Sequence, residues 1–408
     1  MPKWYAQAVR RTIVAAVVLG TFTLSACAGG EAAKEPDGPI KIGGTLGLTG
    51  ALAGPAGEYK AIYDMWAAQV NKAGGISGRK VEMIIKNDDS TPATAQTLYQ
   101  SLLTTDQVDI LLAPYSTYVG TPIVPLARSG GKILFNGGFP SEPLSDEAKG
   151  WMVGTYPYME SQYTRGVFEA IKTLPADQRP SRVGILTLNN PFTLAARDGN
   201  GGKNGAIRYA EDAGMKVVYN EEYSSDTTDF TSAINSAKAA RVDLFLVLGL
   251  PEDSVRILKA AHTQEFTPKL TCACGSQVST LPTWSGVGAA AEGVLGTTTG
   301  WPSQGFKGLD ELAALSKSRG EEVIPAYAIV AYATLQVVQQ AIAGAGTTDQ
   351  DRLREYIYSH TFDTAVGKIK FNPNGTVPYS QVIVQTIGGK TFPIWPKELA
   401  DHDLAVAK

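Results

Sequence analysis

The chain holds little of the chemistry on which most enzymes rely. Three cysteines and three histidines are spread over 408 residues. So few cysteines exclude a disulfide framework as what holds the fold together. His262, His360 and His402 lie far apart, and none stands at the spacing of a metal site. The motifs G-x-S-x-G, H-E-x-x-H and G-x-x-x-x-G-K-[ST] are all missing. Their absence weighs against the leading enzymatic rival, a secreted hydrolase, and against phosphate-loop chemistry. An excess of one charge is missing as well. The 36 Lys and Arg nearly cancel the 39 Asp and Glu, leaving a formal charge of −3, with no basic tract to neutralise a phosphate backbone. No enzymatic activity, cofactor, metal or nucleic acid is expected.

Long apolar runs are also scarce. One covers residues 13–24, interrupted only by Gly and Thr and preceded by Lys3, Arg10 and Arg11. It is short of the roughly 20 residues that cross a bilayer, so it reads as the core of a signal peptide. The run ends in Leu24-Ser25-Ala26-Cys27, followed by Ala28-Gly29-Gly30. Small residues ahead of a Cys at this place resemble the bacterial lipobox, whose Cys is lipidated and becomes the mature N-terminus. Residues 1–26 are therefore expected to be a signal peptide, with Cys27 lipidated and residues 27–38 a flexible tether of small and charged residues. No second run is read as a membrane span, which leaves the lipid as the expected membrane link.

What is present in quantity is an alternation of strands and helices. Strands are predicted over 40–48, 81–87, 109–113, 132–136, 182–188, 216–222, 243–250 and 269–274, from apolar or alternating runs. Between them the 3.6-residue period predicts helices, among them 59–73, 121–128, 161–174, 195–213, 229–240 and 252–263. Two further helices, 326–343 and 349–359, precede a hairpin-like end at 367–391, inside which Asn372-Pro373-Asn374-Gly375 is a turn signal. Strands separated by helices, with near-continuous apolar runs, give an α/β fold of two lobes, each a parallel sheet flanked by helices. The length supports two lobes, because a single core stops growing near about 250–300 residues.

In parallel α/β sheets, ligands bind beyond the C-terminal ends of the strands. The residues there are Thr49 after the first strand and Tyr115, Ser116, Thr117 and Tyr118 after the third. After the fourth come Gly137, Gly138, Phe139, Pro140 and Ser141. The second half contributes Asn189 to Phe192, Gly249 to Pro251, and Cys274 to Ser276. Hydroxyls and exposed backbone beside aromatic rings are the makings of a small-molecule pocket. Cys272 and Cys274, on one face of a strand, read as two small buried apolar residues, because a bridge two residues apart is expected to strain its geometry. Asp88 and Asp89, at a strand end, are expected to anchor a neighbouring loop.

Four segments carry a resemblance: IKIGGTLGLTGALAGPAGEYKA (40–61), NKAGGISGRKVEMIIKNDDSTPATA (71–95), YAIVAYATLQVVQQAI (327–342) and FDTAVGKIKFNPNG (362–375). In order and spacing they resemble the type I periplasmic binding proteins of branched-chain amino acid ABC uptake systems, over about residues 40–386. The resemblance implies two lobes joined by hinge crossings, lobe 1 being 39–156 plus 299–371 and lobe 2 being 157–298 plus 372–398, with a tail at 399–408. It implies a monomer that closes on a small-molecule ligand and presents it to an ABC permease served by ATPase subunits. The alternative is a lipoprotein sensor that presents its ligand to a receptor. The family's carboxylate-holding hydroxyl falls on Thr117 or Ser116, its backbone contacts on Gly138 to Ser141, and its covering aromatic on Phe192. The next aromatic position falls on Leu250. The acid that would accept an α-ammonium falls at Cys274, where no carboxylate is adjacent. Either another acid reaches in, or the ligand is an amide or a carboxylic acid in place of a standard α-amino acid.

Overall fold

A computed structural model describes residues 38–275 and 277–407. Cys27 and the segments before and after it, read above as signal and tether, lie outside the described residues, as does Ser276.

Two sheets organise the chain. The first has five parallel strands, β1 (Ile40–Leu46), β2 (Val81–Asn87), β3 (Ile110–Leu112), β4 (Leu134–Asn136) and β5 (Met152–Gly154), in the order β2-β1-β3-β4-β5. The second contains β6 (Arg182–Leu188), β7 (Lys216–Tyr223), β8 (Leu244–Leu248), β9 (Leu270–Ala273) and β10 (Leu295–Thr298), also mutually parallel. A small ladder pairs β11 (Phe362–Thr364) with β12 (Gly367–Ile369). The antiparallel pair β13 (Val382–Ile387) and β14 (Lys390–Trp395) then extends the second sheet, whose order is β14-β13-β10-β9-β8-β6-β7. All five residues of β8, LFLVL, are buried. Helices on both faces of a parallel sheet leave no solvent side, which is why such a strand does not alternate.

The core of the first sheet is closed from far away in sequence. Helix Ala53–Lys72 buries Tyr59, Ile62, Tyr63, Trp66 and Val70 and packs on helix Ala326–Ala345. The latter is the one helix among the described residues long and apolar enough to cross a membrane, a feature the sequence reading passed over. Residues 326–338 of it are all buried, so here it is a core helix. Gly43 lets the helix Pro92–Thr104 and the loop after it approach β1, since a Cβ there would sit 2.9 Å from Leu102 Cδ2 and 2.6 Å from Val108 Cγ1.

Two sequence expectations are corrected. The helix expected over 195–213 is two helices, Pro191–Asp198 and Gly205–Asp212. Gly199, Gly201 and Gly202 between them adopt positive φ, a conformation that ends helices. The hairpin-like end is likewise divided, since β12 turns back onto β11 and β13 pairs with β14 through Gly388-Gly389. The Asn372–Gly375 turn forms, with Gly375 N–H donating to Asn372 O at 2.8 Å, but it lies on the segment leading from the ladder to the second sheet. Asp88 does anchor a loop, accepting from Thr45 Oγ1 at 2.6 Å and from the Ser90 N–H at 3.0 Å.

Leu246 is fully buried in β8, the middle one of the second sheet's five parallel strands. Leu246→Ala is expected to cost about 2–5 kcal/mol of stability, measured by denaturant unfolding with an unchanged m-value.

Candidate functional site

Beyond the ends of β3 and β4, and facing the ends of β6, β8 and β9, lies a cavity. Each wall follows from local sequence. After β3 the chain runs through Tyr115 and Ser116 into a short helix, Thr117–Gly120. Ser116 is extended at its start and makes no side-chain cap, which leaves its hydroxyl unspent. The Thr117 side chain is 4% exposed, and its Oγ1 has no hydrogen-bond partner among the described residues. The Tyr115 ring meets Tyr327 edge-on at 5.2 Å, their hydroxyls 3.1 Å apart.

After β4 the loop folds around one side chain. Asn136 Oδ1 accepts from Gly138 N–H at 2.9 Å and Phe139 N–H at 3.1 Å, while its Nδ2 donates to Phe139 O at 2.7 Å. The loop thereby presents Gly138, Phe139 and Pro140 to the cavity. A Cβ on Gly138 would lie 1.9 Å from Pro114 O, so glycine is required there.

From the second sheet, Asn190 caps helix Pro191–Asp198 by accepting the Thr193 N–H at 3.0 Å. This holds Phe192 edge-on to Tyr163, with centroids 5.0 Å apart. Leu250 starts helix Pro251–Thr263. Gly275 and Gln277, beyond β9, complete the wall.

Of the strand-end residues named from sequence, Tyr115, Ser116, Thr117, Tyr118, Gly138, Phe139, Pro140, Asn190, Phe192, Leu250 and Gly275 line this cavity. Thr49, Ser141 and Cys274 are placed elsewhere. Thr49 is exposed and hydrogen-bonded to Asp89 and Asn87. Ser141 is buried and donates to Glu160 Oε1 at 3.0 Å. Cys274 does not line the cavity, and it is not the small apolar residue expected. It is disulfide-bonded to Cys272. Their Cα atoms are 5.1 Å apart, inside the range a disulfide spans, so the backbone here meets the geometry that the spacing alone argued against.

Sequence reasoning missed Tyr156, Tyr158, Tyr163, Tyr327 and Gln277, all of which face the cavity. The density of tyrosine over 156–163, just after β5, was the available signal. Tyr327 was hidden inside an apolar helix. No Asp, Glu, Lys or Arg is among the lining residues. Burial pushes the Tyr115 hydroxyl up to about 12 and those of Tyr156, Tyr158, Tyr163 and Tyr327 higher still. The rings therefore act as neutral walls bearing hydroxyl donors.

With this geometry in view, the chain can be set beside known proteins. The family model described as periplasmic binding protein matches residues 39–391. The chain belongs to the periplasmic binding protein family. A leucine-, isoleucine-, valine-, threonine- and alanine-binding protein of Pseudomonas aeruginosa is 23% identical, covering 81% of this chain and 86% of its own. Among solved structures, the isoleucine complex of LivJ from Streptococcus pneumoniae superposes with a TM-score of 0.74 at 17% identity, covering 86% and 97% of the two chains. A solute-binding protein of an R. palustris ABC transporter, in complex with benzoate, gives 0.75 at 14% identity, covering 91% and 98%. The fold is thus that of type I periplasmic binding proteins, a class of extracytoplasmic solute binders.

Behind the cavity wall, Glu160 is 3% exposed and one of its carboxylate oxygens has no partner among the described residues. Burial pushes its carboxyl up to about 8, against the opposing hydrogen bond from Ser141. An acid whose folded pKa is raised contributes stability below its unfolded pKa and loses it as pH rises through the folded value. The periplasmic binding protein should therefore lose stability between pH 4.5 and about 8, by at most about 1.4 kcal/mol per pH unit. Glu160→Gln should flatten that slope, as read from melting temperatures across the range.

Proposed function

We propose that this protein is the substrate-binding lipoprotein of an ABC uptake system. It captures a small amino acid, amide, or aliphatic or aromatic carboxylate and delivers it to a membrane permease. The observation that carries this reading is the cavity between the two sheets, where a buried Thr117 hydroxyl is left without a partner beside neutral aromatic walls. A buried hydroxyl without a partner costs about 1–3 kcal/mol, and a ligand oxygen is the natural partner. Two relatives of the same fold, one holding isoleucine and one benzoate, show that similar scaffolds admit both ligand classes.

In this reading the lobes are residues 39–156 plus 299–371 and 157–298 plus 372–398. Ligand closes them by a hinge motion, and the closed form is what the permease receives. Lipid on Cys27 holds the protein at the membrane, on its extracytoplasmic side.

A thermal-shift screen of the purified protein against amino acids, amides and carboxylic acids tests the binding role. A ligand at 100 times its dissociation constant stabilises by about 2.7 kcal/mol, and a screen in which no such compound shifts the melt rejects the reading. With a ligand in hand, Ser116→Ala combined with Thr117→Ala should weaken binding by about 1–3 kcal/mol. The anchor is tested separately: Cys27→Ala should move the protein from the membrane to the soluble fraction with ligand affinity unchanged. Continued membrane association would remove the lipid from the proposal.

A further inference from the structure

Gln277 is the second cavity group with an unsatisfied end. It is 2% exposed; its Nε2 donates to the Tyr158 hydroxyl, while its Oε1 has no partner among the described residues. Its backbone is held at both its N–H and its O. The N–H donates to the Tyr163 hydroxyl at 3.1 Å, Tyr163 also accepts from Thr297 Oγ1 at 2.7 Å, and Gln277 O accepts from Thr280 Oγ1 at 2.9 Å. With φ of 52°, the residue sits in the left-handed region that non-glycine residues rarely occupy. Such strain persists only where the surroundings over-determine it, and it clusters at functional positions. The amide is therefore held in place at the cavity wall with one acceptor open.

Charge decides what that acceptor can meet. No lining residue is anionic. The nearby acid Glu160 is kept toward its neutral form by burial and lies behind the wall, bonded to Ser141. A buried ammonium with no anionic partner pays a desolvation cost that a cation–π contact with the tyrosines does not offset. A hydroxyl or carboxamide N–H carries no such cost and satisfies a neutral amide oxygen directly.

We propose, building on the binding role above, that Gln277 is the specificity-determining residue of this cavity: its free amide oxygen accepts from a neutral donor on the ligand, and ligands with an ammonium at that position are rejected. The preferred solute is an uncharged amide or hydroxyl compound, or a carboxylate whose second polar group is a hydroxyl or carboxamide.

Titration calorimetry with two shape-matched pairs tests this. The probes are leucine against its α-hydroxy analogue, and aminomethylbenzoate against hydroxymethylbenzoate. In the wild-type protein the hydroxyl member of each pair that binds should be at least tenfold tighter, about 1.4 kcal/mol. Gln277→Glu supplies an anion at the same place and should shift that ratio at least tenfold toward the ammonium member. Gln277→Leu should weaken the hydroxyl member at least tenfold without admitting its ammonium partner. Equal binding of both members to the wild type overturns the specificity assignment while leaving the binding role standing. Unchanged affinities in Gln277→Leu overturn it as well. Failure of all four probes to bind overturns this inference together with the proposed ligand classes.

Discussion

A buried tyrosine hydroxyl must find a hydrogen-bond partner, and here the search for partners ties the two sheets to the cavity between them. Tyr59, on the first long helix, donates to Gly137 O and meets the Tyr156 hydroxyl at 2.9 Å. One ring thus joins the loop after β4 to the segment leaving β5. Tyr163, further along that segment, accepts from the Gln277 backbone and from Thr297 at the end of β10. Each phenol carries a large apolar body that fills the wall and one polar tip that has to be satisfied. Losing one ring would remove packing and also free a polar group on a different element. The shape of the cavity and the placement of the crossing segments are therefore a single problem with a shared solution.

Much of the fold was legible because parallel strands advertise themselves. Runs such as LFLVL at β8 are too short for a helix and too uniformly apolar for a half-exposed strand. The failures have local causes. The helical period over 195–213 continues through residues whose glycines permit, without announcing, a break at positive φ. The Asn-Pro-Asn-Gly signal was read correctly as a turn, yet a turn signal does not say which strands it joins. The disulfide escaped because spacing fixes only the sequence distance, whereas the Cα separation of 5.1 Å is a property of the folded backbone.

The site was legible to the extent that strand ends predict it. Tyr115, Thr117, Gly138 and Phe192 all follow strands directly, so the rule for parallel sheets reaches them. Tyr158 follows β5, a three-residue strand that the sequence reading did not assign, and Tyr163 lies further along the same segment. Tyr327 opens a buried helix, and Gln277 stands just beyond the residues named after β9. Together they supply three of the eight lining rings and one of the two buried open polar atoms. A contrast in charge also appears only in three dimensions. The chain carries 36 basic and 39 acidic residues, but none of them lines the cavity, and the buried Glu160 is bonded to Ser141.

The first sheet is completed by a helix that arrives late in the sequence. Trp66 Nε1 donates to Gln339 Oε1 at 3.3 Å, across 273 positions of chain. Contacts of such long range slow folding, because the loop they close has to be ordered before they are rewarded. A ribosome must make four-fifths of this polypeptide before the core around Ala53–Lys72 can be sealed.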